Sequence, residues 1–384
     1  LVALRPRVYA VPELGLHLPL TQDLVLESLD GLGLELSTGS GLSSVVAVLR
    51  GGRPGPAVLL RADMDALPVL EDSDEPVRSA HDGVMHACGH DLHTACLVGA
   101  ARLLHARREG LAGSVVLMFQ PGEEGPGGAR RMIEAGVLDA GGERVVAAYA
   151  LHATSALLPA GLVTSRTGTV LAASDQLHVV VHGRGGHGSM PHLAADPVPV
   201  AAEIVLALQA AVTRQFDALD PVVLSVGRIA GGTTDNVIPG SVELSATVRT
   251  FSEETHAVVA ERLTQVVEKV AEAHGLRAEV RYVVGYPVTS NTEAEAGRVA
   301  RVARELLGDR GFWPTPRPIP GSEDFSYVLQ EVPGAFLGLG ATPAGRDPAS
   351  APYNHSPQAT FDESALPVGA AMLAALAADR LAAG

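Results

Sequence analysis

Two uninterrupted apolar runs, Ser114–Phe119 and Val145–Leu151, do most to constrain the fold. Apolar on both faces, each reads as a strand buried inside a sheet. Each also stops on polar chemistry. The first gives way to Gln120-Pro121-Gly122 and then Glu123-Glu124, and the second ends at His152. Helical spacing surrounds them. Residues 22–33 read as an amphipathic helix. Leu92, Cys96, Leu97, Ala100 and Leu103 recur at the period of a helix reaching about Arg108, with Asp91 as its N-cap. Ser44–Leu49 and Ala57–Leu60 are apolar runs separated by Gly51-Gly52-Arg53-Pro54-Gly55, read as a hairpin or tight turn. Doubly apolar strands alternating with helices predict an α/β fold. Its sheet is mixed and largely parallel, with functional groups at the carboxyl edge.

The pattern changes after about residue 172. Leu177–His182, Val222–Ile229, Val242–Arg249 and Arg277–Val284 read as strands, and Pro197–Phe216 and Ser252–His274 as helices, the latter closed by Gly275. The order β-α-β-β-α-β is that of a ferredoxin-like α+β domain. The α/β pattern then resumes with a helix near Glu293–Leu307, a strand at Ala335–Leu339 and a last helix from about Asp362 to Ala383. A chain of 384 residues favours two domains. The expected division is a catalytic domain of residues 1–171 and 286–384, interrupted by an inserted domain of residues 172–285.

Bulk properties narrow the function. Hydrophobic residues at 47% supply a globular core, and a net charge of -15 argues against nucleic acid as a partner. Two cysteines exclude a disulfide framework, and Cys96, on the apolar side of its helix, reads as core. No apolar run reaches the ~18–20 residues of a membrane span, and no signal peptide is visible, so a cytoplasmic location without membrane contact is expected.

The chemistry collects in Met85-His86-Ala87-Cys88-Gly89-His90-Asp91 together with Glu123, Glu124, His152 and His355. One thiol, three imidazoles and two carboxylates form the donor set of a catalytic metal centre. Thiolate and imidazole favour zinc-like ions, while carboxylates also admit manganese. In an extended segment Glu123 and Glu124 point to different sides, so that one binds metal and the other takes a proton from water. His86 and His93 read as supporting groups. Gly183-Arg184-Gly185-Gly186-His187-Gly188 formally matches a dinucleotide fingerprint, but Met190-Pro191-His192 follows instead of a helix start, so it reads as a turn presenting His187. His187 and Asn236 are candidates to hold a developing oxyanion. Arg249 reads either as a partner for a substrate carboxylate or as half of a structural salt bridge.

Seven segments together resemble a known family: residues 60–68 (LRADMDALP), 85–91 (MHACGHD), 122–136 (GEEGPGGARRMIEAG), 183–192 (GRGGHGSMPH), 233–240 (TTDNVIPG), 321–327 (GSEDFSY) and 354–363 (NHSPQATFDE). The set is similar to the amidohydrolase branch of the dinuclear-metal aminoacylase and carboxypeptidase family. That branch includes hippurate hydrolases, N-acyl-amino-acid amidohydrolases and auxin-conjugate hydrolases. The resemblance implies two divalent ions per subunit, manganese or zinc. It makes Cys88 the bridging ligand and His90, Glu124, His152 and His355 the others. It assigns Glu123 as general base, Asp65 as the orienting carboxylate and His187 as a lid histidine that approaches the scissile carbonyl. That histidine serves its own or a neighbouring subunit. His192 falls at a family position near the lid, a candidate substrate contact. The implied reaction is hydrolysis of an N-acyl amino acid to a carboxylate and a free amino acid, in a homodimer formed through the lid. Alternatives are a metallo-dipeptidase or aminopeptidase of the same family, and a catalytically silent metal-binding relative.

Overall fold

The computed structural model describes residues 1–383. They form two compact units. The first takes Leu1–Val170, Ser290–Arg317 and the chain from Asp324 on; the second takes Leu171–Thr289 and Pro318–Glu323.

The first unit is built on an eight-stranded sheet. Its early strands are Glu35–Thr38 (β1), Val45–Arg50 (β2), Arg53–Asp63 (β3), Ala112–Gln120 (β4), Ala147–Pro159 (β5) and Val163–Ser165 (β6). Gly334–Thr342 enters between β5 and β6, Phe312–Pro314 closes the far edge, and the order is β1, β2, β4, β3, β5, Gly334–Thr342, β6, Phe312–Pro314. The central pairings β4–β3, β3–β5 and β5 with Gly334–Thr342 are parallel, whereas β1–β2 and β2–β4 are antiparallel. The expected α/β architecture with a mixed, mostly parallel sheet is therefore present.

Three local expectations are corrected. The Gly51–Gly55 stretch is no hairpin, because β4 lies between β2 and β3. Instead Gly51 and Gly52 donate their N–H groups to the carbonyls of Gly113 and Arg108. Asp91 is not an N-cap. The helix His90–His105 begins after Gly89, whose φ of +83° is left-handed, and Asp91 lies in the first turn. There its buried carboxylate accepts from Arg5 Nε at 2.8 Å, which ties the N-terminal segment to this helix. Finally, β5 does not end at His152 but runs on to Pro159. It outruns β3 and β4, which stop together at Asp63 and Gln120. His152 is thus fixed within a continuous strand at the edge where its neighbours end.

Helices His90–His105 and Ala365–Ala382 cover the sheet with a shared core that includes Leu92, Ala95, Leu97, Leu366, Met372, Leu373 and Leu376. Cys96 is fully buried there, as the sequence indicates. Ala365–Ala382 and, in the second unit, Pro197–Arg214 are long and apolar enough to cross a membrane by composition alone. Both place apolar residues in cores, Leu366 and Leu373 in one case, Ile204 and Leu208 in the other.

The second unit carries a four-stranded antiparallel sheet in the order Val223–Ala230, Ser241–Arg249, Ser174–His182, Arg277–Tyr286. With helices Pro197–Arg214 and Glu253–Ala273 between strands, this is the ferredoxin-like order. Leu177, Val179 and Val181 alternate toward the core, packing with Ile204, Leu208, Leu263 and Val267. Both helices are capped, by Asp196 Oδ1 on Val198 N at 2.9 Å and by Ser252 Oγ on Thr255 N at 3.0 Å.

One contact in the first unit invites a stability test. A Cβ on Gly369 would lie 2.5 Å from Cys96 Sγ and 3.0 Å from Leu339 Cδ2. Gly369→Val should therefore destabilise by about 1–3 kcal/mol through overpacking, read as a lower Tm of the purified protein. An unchanged Tm would contradict this close helix packing.

Candidate metal centre

The candidate metal donors gather where β3 and β4 end, beside His152 within β5. Cys88 and His90 flank Gly89, where the chain turns into its helix. Glu123 and Glu124 follow β4. His152 projects from β5, and His355 comes from the loop before the last helix. Ligand atoms of Cys88, His90 and His152 lie within 4.8 Å of one another, as do those of Cys88, Glu124 and His355, and those of His90, Glu123 and Glu124. Cys88 therefore belongs to two three-donor groups at once. His152 Nε2 is 3.4 Å and His355 Nε2 3.2 Å from its Sγ.

Hydrogen bonds fix which ring nitrogen of two candidate donors faces the site. His90 Nδ1 lies 2.8 Å from the Asp65 carbonyl, and His152 Nδ1 lies 2.9 Å from the Ala153 carbonyl. A carbonyl only accepts, so both Nδ1 atoms donate and each neutral ring keeps its Nε2 lone pair for a ligand. Asp65 sits beneath the adjacent carboxylates. Its two oxygens accept from Glu123 N at 2.9 Å and Glu124 N at 3.0 Å. Glu123 and Glu124 do not splay to opposite sides. They sit in a turn, with Gly125 N bonded to Glu123 O, and both reach toward His90.

Burial disfavours a charged Cys88, but the His152 imidazolium and hydrogen bonds from His152 and His355 outweigh it, holding the thiol well below its ordinary range. Burial in turn lowers His152, and the Cys88 thiolate overrides it to about 9. Hydrogen bonds to Cys88 and Glu124 lift His355 to about 10. Burial raises Glu124. In this cluster the buried His90 Nε2 has no hydrogen-bond partner among the described residues, and Glu124 Oε1 lies 3.2 Å from His355 Nε2. A thiolate among imidazoles, with an orphaned ring nitrogen and a carboxylate beside them, fits divalent cations, whose binding displaces the protons.

Behind the cluster lies a polar layer that sequence reasoning left without a role. Arg61 Nη1 bonds Asp63 Oδ2 at 2.7 Å, Nη2 bonds Asp324 Oδ1 at 3.0 Å and Nε bonds Gln120 at 2.8 Å. His93 Nδ1 donates to Asp63 Oδ1 at 2.6 Å, and its Nε2 accepts from Ala153 N at 2.7 Å. His93 is thus a supporting group, as expected. His86 is also buried, beside Tyr9, and burial lowers it to about 4. The available signal was the pair Arg61-x-Asp63 on one face of an otherwise apolar strand.

His187, Asn236, His192 and Arg249 all belong to the second unit. His187 stands on the short strand Gly186–His187, paired with Val237–Ile238. Asn236 adjoins it, its carbonyl accepting from Gly188 N at 2.8 Å, so the fold brings these two residues together. The glycine-rich stretch leads into this pairing and not into a helix, in keeping with its reading as a turn. His192 is exposed in the turn Pro191–Leu193. Arg249 is half-buried, and its Nη1 donates to the Val248 carbonyl at 3.2 Å. The structural salt bridge offered for Arg249 does not form among the described residues.

The profile of peptidase family M20/M25/M40 matches residues 59–379. The chain is 38% identical to thermostable carboxypeptidase 2 of Saccharolobus solfataricus, over 98% of this chain and 94% of that protein. It is 38% identical to IAA-amino acid hydrolase ILR1-like 2 of Arabidopsis thaliana, over 99% and 85%. The crystal structure of Bacillus subtilis YXEP, a dinuclear metal-binding peptidase of the M20 family, superposes with a TM-score of 0.85 at 32% identity, covering 99% of this chain and 97% of that one. The chain belongs to peptidase family M20/M25/M40 and is a hydrolase acting on amide bonds.

Proposed function

We propose that the protein is an N-acyl-amino-acid amidohydrolase that works with two divalent ions, manganese or zinc, and releases a carboxylate and a free amino acid. The observation that carries this reading is the position of Cys88, common to two donor groups, His90 with His152 and Glu124 with His355. Those five residues would hold the ions. Bound there, the ions polarise an acyl oxygen and acidify a water molecule.

The remaining work falls to the chain. Glu123, nearly fully buried beside His90, takes the water's proton and returns it to the leaving amine. Asp65 holds Glu123 and Glu124 by their backbone N–H groups, so both carboxylates are placed before substrate arrives. His187 and Asn236 supply hydrogen bonds to the developing oxyanion, in their own or the partner subunit. Arg249 and His192 contact the substrate, the Arg249 guanidinium meeting the substrate's carboxylate. The second unit serves as a lid and as the contact of a homodimer.

The deciding experiment is a hydrolysis screen of the metal-loaded protein against N-acetyl, N-benzoyl and long-chain N-acyl amino acids, with dipeptides as controls. Cleavage of the acyl amino acids, lost on chelation and restored by manganese or zinc, is expected. Cleavage of dipeptides alone, or full activity in metal-free protein, would overturn the reading.

Two substitutions should fail differently. Glu123→Gln should keep its metal and lose turnover by roughly 10²–10⁴-fold, whereas Glu124→Ala should lose metal affinity. Equal metal contents in the two purified variants would contradict these roles. His187→Ala should retain metal and lower kcat much more than it changes KM. Normal kcat in that variant would remove His187 from the reaction.

A further inference from the structure

The carboxamide of Asn354 joins stretches of chain that are far apart in sequence. Its Nδ2 donates to the Cys88 carbonyl at 3.2 Å and to the Ala153 carbonyl at 2.9 Å, and lies 3.8 Å from Cys88 Sγ. Its Oδ1 accepts from Ser155 N at 3.0 Å and lies 3.1 Å from Ser155 Oγ, whose proton can alternatively go to the Pro352 carbonyl at 2.8 Å. This settles the orientation of the amide. Two carbonyls face one end and a backbone N–H faces the other, so a flipped amide would set oxygen against oxygen.

The contacted peptides are those that carry metal-ligand candidates. Cys88 is itself a donor. Ala153 follows His152, and its carbonyl accepts from both His152 Nδ1 and Asn354 Nδ2, each at 2.9 Å. Its N–H is bonded to His93. Both polar groups of Ala153 are therefore engaged, and His152 has an anchor that sets its ring orientation. The residue after Asn354 is His355, whose φ of +70° is left-handed. A residue with a side chain adopts that conformation at an energetic cost and keeps it only where neighbours fix it. Here they are the Ala87 carbonyl, which accepts from His355 N at 2.8 Å, and the Asn354 side chain.

We propose that Asn354 is a positioning residue for the metal centre. By bridging the Cys88 and Ala153 peptides, it sets the spacing of Cys88 Sγ, His152 Nε2 and His355 Nε2 so that they act as one donor set. The inference rests on reading this cluster as a metal centre. Asn354 acts through the ligands and touches no reacting atom.

The test is Asn354→Asp, which keeps an acceptor for Ser155 N but turns a carboxylate oxygen toward two carbonyls. Manganese and zinc affinities are measured by chelator competition, alongside thermal unfolding of the metal-free protein. Affinity should fall by about 10–100-fold, the scale typical when a group supporting metal ligands is lost. Activity should recover in part at high metal concentration. A purely structural role would lower the metal-free Tm while leaving affinity per folded molecule unchanged, and that result would overturn the proposal. Should Asn354→Asp fail to fold, Asn354→Ala removes the donors without adding charge. Failure of both to fold with metal supplied would assign Asn354 to folding and likewise overturn the proposal. A wild-type chain that binds no divalent ion would refute the metal-centre reading itself. A wild-type chain that binds ions but cleaves no acyl amino acid would refute only the proposed substrate.

Discussion

The sheet edge that carries the donor cluster depends on buried charge. Arg61 and Asp63 are both fully buried in the strand β3, and burying charges is costly unless every group is matched. Here the matching ties the architecture together. Arg61 reaches Gln120 at the end of β4 and Asp324 in a distant loop, while Asp324 also accepts from Gln120 and from Ala129 N. Asp63 takes His93 from the adjoining helix, and His93 grips β5 at Ala153. One guanidinium and two carboxylates thus register three parallel strands at the level where the donor cluster begins. Removing any one partner would leave a buried charge uncompensated, which gives this layer little tolerance for change.

That layer explains what the sequence made legible and what it did not. Apolar runs identified the buried strands, and side-chain types together with the family resemblance pointed to Cys88, His90, Glu124, His152 and His355, whose donor atoms the fold brings close together. Both signals are local. The order of β2, β4 and β3 was hidden because pairing is decided by the whole sheet, and a glycine-rich stretch looks the same whether it makes a hairpin or carries the chain past a neighbour. Asp91 matched a cap by residue type, yet its partner Arg5 lies 86 positions away. His152 looked like a strand end because polarity rises there, while the pairing of β5 with Gly334–Thr342 continues past it to Pro159. Asn354 was visible only as the neighbour of a histidine. Its bonds to backbone carbonyls leave no trace in the pattern of side chains.

The two units differ in what holds their candidate groups. In the first, the donors are backed by buried hydrogen bonds. In the second, His187 and Asn236 occupy an exposed two-strand turn, with His187 Nδ1 accepting from Ser189 N at 3.1 Å. The first arrangement suits groups that must be set before a ligand arrives, and the second suits groups that adjust as it binds.

The separation of Cys88 and His355 along the chain has a further meaning. They lie 267 residues apart, and their side chains meet at 3.2 Å. Both cysteines are free thiols, so no covalent staple closes this loop. An ion held at Cys88 would act as a reversible clasp, stabilising the folded chain by its binding free energy and not, as a disulfide does, by restricting the unfolded one. Such an ion would add to the stability of the metal-free fold by an amount set by its affinity and its free concentration.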